Sequence, residues 1–175
     1  MLNGADLLSD HRLAIFNEDR THRFLLKRKI KPGDSICLFA MLNPSTASEH
    51  KNDNTVSRCI KFADQWGFSW MWVVNIFSIC SSDPKVLYLP GVINEPLNDE
   101  YIGAAVDIAD RTMCAWGNHG NRIGRGDQVA QMIRDRGKVP FAFGLTNPLT
   151  GTPQPKHPLA RGKNWIPYGA DIVAL

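Results

Sequence analysis

Two unbroken apolar runs, each followed by or ending near an asparagine, set the limits on what this chain can fold into. Residues 36–41 (ICLFAM) carry no polar side chain, and a strand without alternation is one buried on both faces. Residues 70–77 (WMWVVNIF) repeat the pattern, with Asn75 near the carboxyl end. Between them Val56, Cys59, Ile60, Phe62, Ala63 and Trp66 recur at helical spacing. Capping residues at 53–55 precede that segment and Gly67 closes it. A buried strand, a crossover helix and a second buried strand make a parallel pair, since an antiparallel pair needs only a short turn.

The rest of the chain continues the alternation. Thr112–Trp116 reads as a third strand and Phe141–Phe143 as a fourth, with helices expected over 98–110, capped by Asn98-Asp99, and over 127–136. Residues 81–97 read as loop, and 121–126 (NRIGRG) as a flexible basic link. Residues 13–16 and 24–26, split by a polar turn, read as a β-hairpin whose lysines and arginines form a solvated edge. The expectation is one α/β domain over 1–175, a hairpin extension at 1–34 and a β-α-β-α-β-α-β core at 35–175.

Composition narrows the class. With 43% hydrophobic residues, 21% charged and no apolar run of spanning length, the chain reads as a cytoplasmic protein with no membrane contact. Acids near the N-terminus argue against a signal peptide. The four cysteines stand singly, so no metal and no cofactor is expected. A net charge of +3 permits nucleic-acid binding without demonstrating it. Phosphate-loop, dinucleotide and zinc-protease motifs are missing.

Right-handed crossovers place the carboxyl ends of four parallel strands on one edge, where open α/β sheets bind ligands. That edge would gather Asn43, Ser45 and Thr46, then Asn75, then Asn118 and His119, then Thr146 and the loop to His157. Arg122, Arg125, Lys156, Arg161 and Lys163 lie on neighbouring loops where they could face phosphates. Amides, hydroxyls and imidazoles suit hydrogen-bond recognition of a polar planar ligand better than paired-carboxylate chemistry. Plainer readings stand beside these: residues 43–45 as a strand-ending turn, Asp53 as a helix cap rather than a base, and Trp116 and Trp165 as core rather than stacking surfaces.

Read together, MLNPSTA (41–47), NDNT (52–55), WGF (66–68), VVNIF (73–77), AWGNHG (115–120), GLTN (144–147) and GTPQPKHPL (151–159) resemble a bacterial and phage family catalogued as domain of unknown function sixteen-forty-three. That family often has an arginine shortly after Asn-x-Phe, where this chain reads Ile79-Cys80-Ser81. More distantly, the order Asn-Pro, Asn, Trp-Gly, His-Pro is similar to the uracil-DNA glycosylase superfamily. This second resemblance implies a three-layer α/β/α sandwich around a central, mostly parallel four-stranded sheet, here preceded by the hairpin. It implies that Asn43 orients the attacking water, Asn75 binds the extruded base and His157 donates to the base carbonyl. It also implies Leu159 as a wedge in the vacated stack, with Phe77 the candidate stacking wall.

The expected function is therefore an N-glycosidic hydrolase acting on a damaged, mismatched or modified base. Asn43 and His157 would be catalytic. Ser45, Thr46, Asn75, Phe77, Asn118, His119, Lys156 and Leu159 would bind substrate. The partner would be nucleic acid or a modified nucleotide, and the sequence leaves the oligomeric state open. Two alternatives remain: a non-catalytic nucleotide or nucleic-acid module on the same fold, and a small-molecule hydrolase or transferase using Ser45 or His119.

Overall fold

In the computed structural model, which describes residues 11–90, 95–146 and 151–175, the two apolar runs are adjacent parallel strands. β1 (Arg12–Phe16) and β2 (Arg23–Lys29) form the N-terminal hairpin. β3 (Ile36–Met41) and β4 (Trp70–Asn75) are buried along their whole length and pair in register from Ile36 with Trp70 to Met41 with Asn75. Between them runs α1 (Asn54–Gln65), started by Asp53, whose Oδ1 accepts from the Val56 N–H at 2.8 Å. α2 (Leu97–Ile108), β5 (Arg111–Cys114), α3 (Arg125–Asp135), β6 (Pro140–Ala142) and β7 (Val173–Ala174) follow. The acids near the N-terminus, residues 91–94 of the expected loop and Asn147 of the GLTN motif lie outside the described residues.

The fold is mixed α/β, but the expected four-stranded sheet is corrected to seven strands, ordered β1-β2-β4-β3-β5-β6-β7. β3 pairs in parallel with β4 and β5, and β5 with β6. The other three pairings are antiparallel. The hairpin is no appendage, because β2 pairs with β4 and covers its edge. Arg23, Lys27 and Arg28 on β2 are buried instead of forming a solvated edge. The loop after β3 supplies acceptors to Arg23 and Arg28. Arg23 Nη1 donates to Ala47 O at 3.0 Å, and Arg28 Nε to Asn52 Oδ1 at 2.7 Å. Charge-assisted bonds of this kind offset the cost of removing a guanidinium from water.

Alternation along β3 divides the core. Cys37, Phe39 and Met41 pack with Val56, Cys59 and Phe62 of α1 on one face. Leu38 and Ala40 pack with Ile102 and Val106 of α2 and Val129 and Ile133 of α3 on the other. Two expectations for the connections are corrected. Asn98 does not cap α2; it is buried inside the helix and its Nδ2 donates to Asn75 O at 2.9 Å. In place of the expected link over 121–126, residues 118–124 form 3₁₀ turns and residues 125–126 open α3. Arg125 is buried, donates to Ile76 O at 2.8 Å and pairs with Asp99, which makes it a pin between α3 and the end of β4. Among the described residues, no helix is long and apolar enough to cross a membrane, and no three His, Cys, Asp or Glu residues group as a metal site.

Candidate functional site

A cavity of about 480 Å³ opens where the central strands end. Asn43 and Ser45 reach it from the loop after β3, and Asn75 from the last residue of β4. Gly117, Asn118 and His119 enter after β5, and Thr146 and His157 after β6. The size falls within the range of small-molecule pockets. Four expected residues are not part of the wall. Thr46 is exposed. Phe77, 5% exposed, belongs to the apolar core beneath and offers no stacking face. The Lys156 backbone N–H is tied to Gly144 O at 3.0 Å. Leu159 is exposed, and its backbone N–H donates to His157 Nδ1.

The hydrogen-bonding sense of three wall residues is fixed by their neighbours. Asn43 Nδ2 donates to Ser81 O at 2.9 Å and Pro44 O at 3.1 Å. Carbonyls can only accept, so the amide is oriented with Oδ1 as the pole left for a ligand. Asn75 is held the other way round. Its Oδ1 accepts from Arg23 Nη2 at 3.0 Å, which leaves Nδ2 as its donor. Arg23 is 3% exposed. Burial pulls its guanidinium down to about 10, still protonated at neutral pH.

His157 completes the set. The Leu159 N–H donates to its Nδ1 at 3.1 Å, so a neutral ring carries its proton on Nε2. Desolvation lowers its pKa from 6.5 to about 4, with a small opposing pull from Asp53. At neutral pH it is a hydrogen-bond donor without charge. The sign of the linkage follows. Between pH 6.5 and about 4 the unfolded imidazole binds a proton that the folded one refuses. Stability is therefore fully present above pH 6.5 and falls as the pH drops towards 4. Melting temperatures at about pH 7 and about pH 4.5 should differ less in His157→Gln than in the wild type. An equal difference would exclude this imidazole as a cause.

Residues 23–159 match the family described as a protein of unknown function, DUF1643. The chain belongs to the DUF1643 family. Of the described wall residues, Ala160, Arg161 and Asn164 alone fall outside the matched span. No curated protein and no solved structure matched this DUF1643 chain.

The Trp-Gly step of this DUF1643 chain has a steric basis. Gly117 sits at φ +74°, and a Cβ there would lie 3.3 Å from His157 Cβ. Gly120 leaves room for the Trp116 indole, which a Cβ would meet at 1.8 Å. That ring lines the cavity and its Nε1 donates to Gln154 Oε1 at 2.9 Å.

Arg23 and Asp53 line the cavity although neither belongs to the expected set of catalytic and binding residues, and Arg161, one of the basic loop residues that could face a phosphate, lines it too. Arg23 carries no signal beyond its place in a basic hairpin. Asp53 is the cap that the sequence indicates, and it is also the sole carboxylate among the described wall residues. His119 contributes less freely, because its Nδ1 lies 3.0 Å from the Tyr88 hydroxyl.

Proposed function

We propose that this protein hydrolyses the N-glycosidic bond of a nucleotide, releasing a damaged, mismatched or modified base, on a fold of the uracil-DNA glycosylase kind. The observation that carries the reading is the convergence of Asn43, Asn75 and His157 on one cavity with complementary poles. A water accepted by Asn43 Oδ1 attacks the sugar C1′, and the C1′–N bond breaks with its electron pair passing to the base. The Asn75 Nδ2 and His157 Nε2 protons, both donors, meet the base where negative charge accumulates. The water's hydroxyl stays on the sugar and its proton neutralises the departing base. A base held in a duplex must leave the stack to reach the cavity, at a cost of a few kcal/mol that damage or mispairing reduces and that a single strand does not incur.

One observation favours a second reading, a binding module without catalysis. Asp53, the one carboxylate among the described wall residues, commits an oxygen to capping α1, and an amide at Asn43 is a weaker base than a carboxylate. A Ser45 hydrolase has less behind it, because no hydrogen bond joins Ser45 to a histidine among the described residues.

The test is a base-release assay over oligonucleotides carrying uracil, mismatched and hypermodified bases. Release is expected from at least one substrate and is expected to vanish in Asn43→Ala with the fold intact by circular dichroism. Release that survives in Asn43→Ala would refute the assignment of water to this residue. Binding without release would leave the recognition module.

A further inference from the structure

The C-terminal segment beyond the family match builds a ridge beside the cavity mouth. Trp165 is 57% exposed and Tyr168 42% exposed, while Ile166 between them is anchored in the core. Arg58 of α1 holds this segment down. Its Nη2 donates to Ile166 O, and its guanidinium lies 4.7 Å from the centre of the Tyr168 ring. The Trp165 N–H closes a turn to Gly162 O at 3.0 Å, and Pro167 follows it. Both rings are thus presented on ordered backbone, which lowers the entropic cost of stacking on them.

Charge points to the occupant. Residues 157–168 contain Arg161 and Lys163 and no acid, and exposed Lys61 reaches over the Tyr168 ring at 5.8 Å. Arg161 and Asn164 belong to this ridge and to the cavity wall at once, so a polymer on the ridge runs past the cavity mouth. We propose that the ridge is a docking surface for single-stranded nucleic acid, with a base stacked on Trp165 and phosphates against Arg161 and Lys163. Aromatic faces beside cations suit a strand whose bases are unpaired, because a duplex hides its base faces. The proposal rests on reading the cavity as a base site, and it identifies a polynucleotide rather than a free nucleotide as what reaches it.

Trp165 is the one exposed tryptophan of five; Trp70, Trp72 and Trp116 are buried and Trp66 is half-buried. The part of the tryptophan quenching that disappears in Trp165→Ala therefore reports on the ridge, because Trp116 lines the cavity and answers to a ligand there. Titration with an oligothymidylate of about eight nucleotides, within the span that single-strand sites cover, should quench the emission, and thymidine monophosphate should do so far more weakly. Anisotropy of the labelled strand should show Trp165→Ala binding about tenfold more weakly. In Lys61→Glu/Lys163→Glu, the slope of log K against log salt should shrink by about 0.7 for each phosphate that the variant no longer neutralises. Circular dichroism checks both variants, and the charge variant stands in if Trp165→Ala misfolds. No binding, equal affinity for the monophosphate, equal affinity for poly-aspartate, or unchanged binding by the folded variants would overturn the proposal. Base release fails or succeeds separately: ridge binding without release would refute the hydrolase and leave the ridge standing. Release with no oligonucleotide binding would do the opposite.

Discussion

His157→Ala should lower base release by about two to three orders of magnitude, the usual cost of removing one donor from a site of developing negative charge. The expectation depends on the fixed tautomer, because the Leu159 N–H occupies Nδ1 and leaves the Nε2 proton for the ligand. Its pKa of about 4 adds a second signature. A neutral donor does not titrate near its ordinary value of 6.5, so the rate should show no His157 step between about pH 5.5 and 8. Single-turnover release measures both. Full activity in the alanine variant, or a step near the ordinary imidazole value that the variant removes, would show that the ring acts otherwise.

Phe62→Ala should produce the largest loss of stability, about 3–5 kcal/mol by denaturant unfolding. Phe62 is fully buried on α1. Its ring centre lies 4.5 Å from Phe143, 5.1 Å from Tyr168 and 5.7 Å from Trp66. Those partners come from α1's own end, the segment after β6 and the C-terminal ridge. Their separation in sequence prevents the site from collapsing around a void, which places the cost at the high end for an aromatic. Phe62→Leu should lose clearly less. Equal losses from both substitutions would mean that the volume leucine retains contributes nothing and that the ring contacts carry the whole effect.

The parts of the fold legible in the sequence are those where pattern and burial agree. Residues 36–41 and 70–75 are apolar on both faces and are buried on both faces, and Asp53 caps α1 where its position indicates. Reading fails where distant groups change what a residue type means. RFLLKRK looks like an exposed edge because its cations lack local partners, yet carbonyls and an amide of residues 47–52, far along the chain, accept from Arg23 and Arg28. β7 is two residues long and has no periodicity to find. In the site, strand ends can be recognised, so Asn43 and Asn75 stand out. Phe77 escapes such a reading because the chain past Asn75 stays hydrogen-bonded beside the end of β3, with the Phe77 N–H donating to Leu42 O at 2.9 Å. Its ring accordingly enters the core.

The walls of the cavity are drawn from Arg23 at one extreme and Asn164 at the other. The wall joins the hairpin, the loop before α1, the ends of three central strands and the C-terminal segment, so the intact cavity requires nearly the entire chain to be folded. Occupancy and global unfolding are consequently linked quantities. A ligand present at about one hundred times its dissociation constant would raise the unfolding free energy by about 2.7 kcal/mol. The natural ligand can thus announce itself as a shift in melting temperature, before any product has been identified.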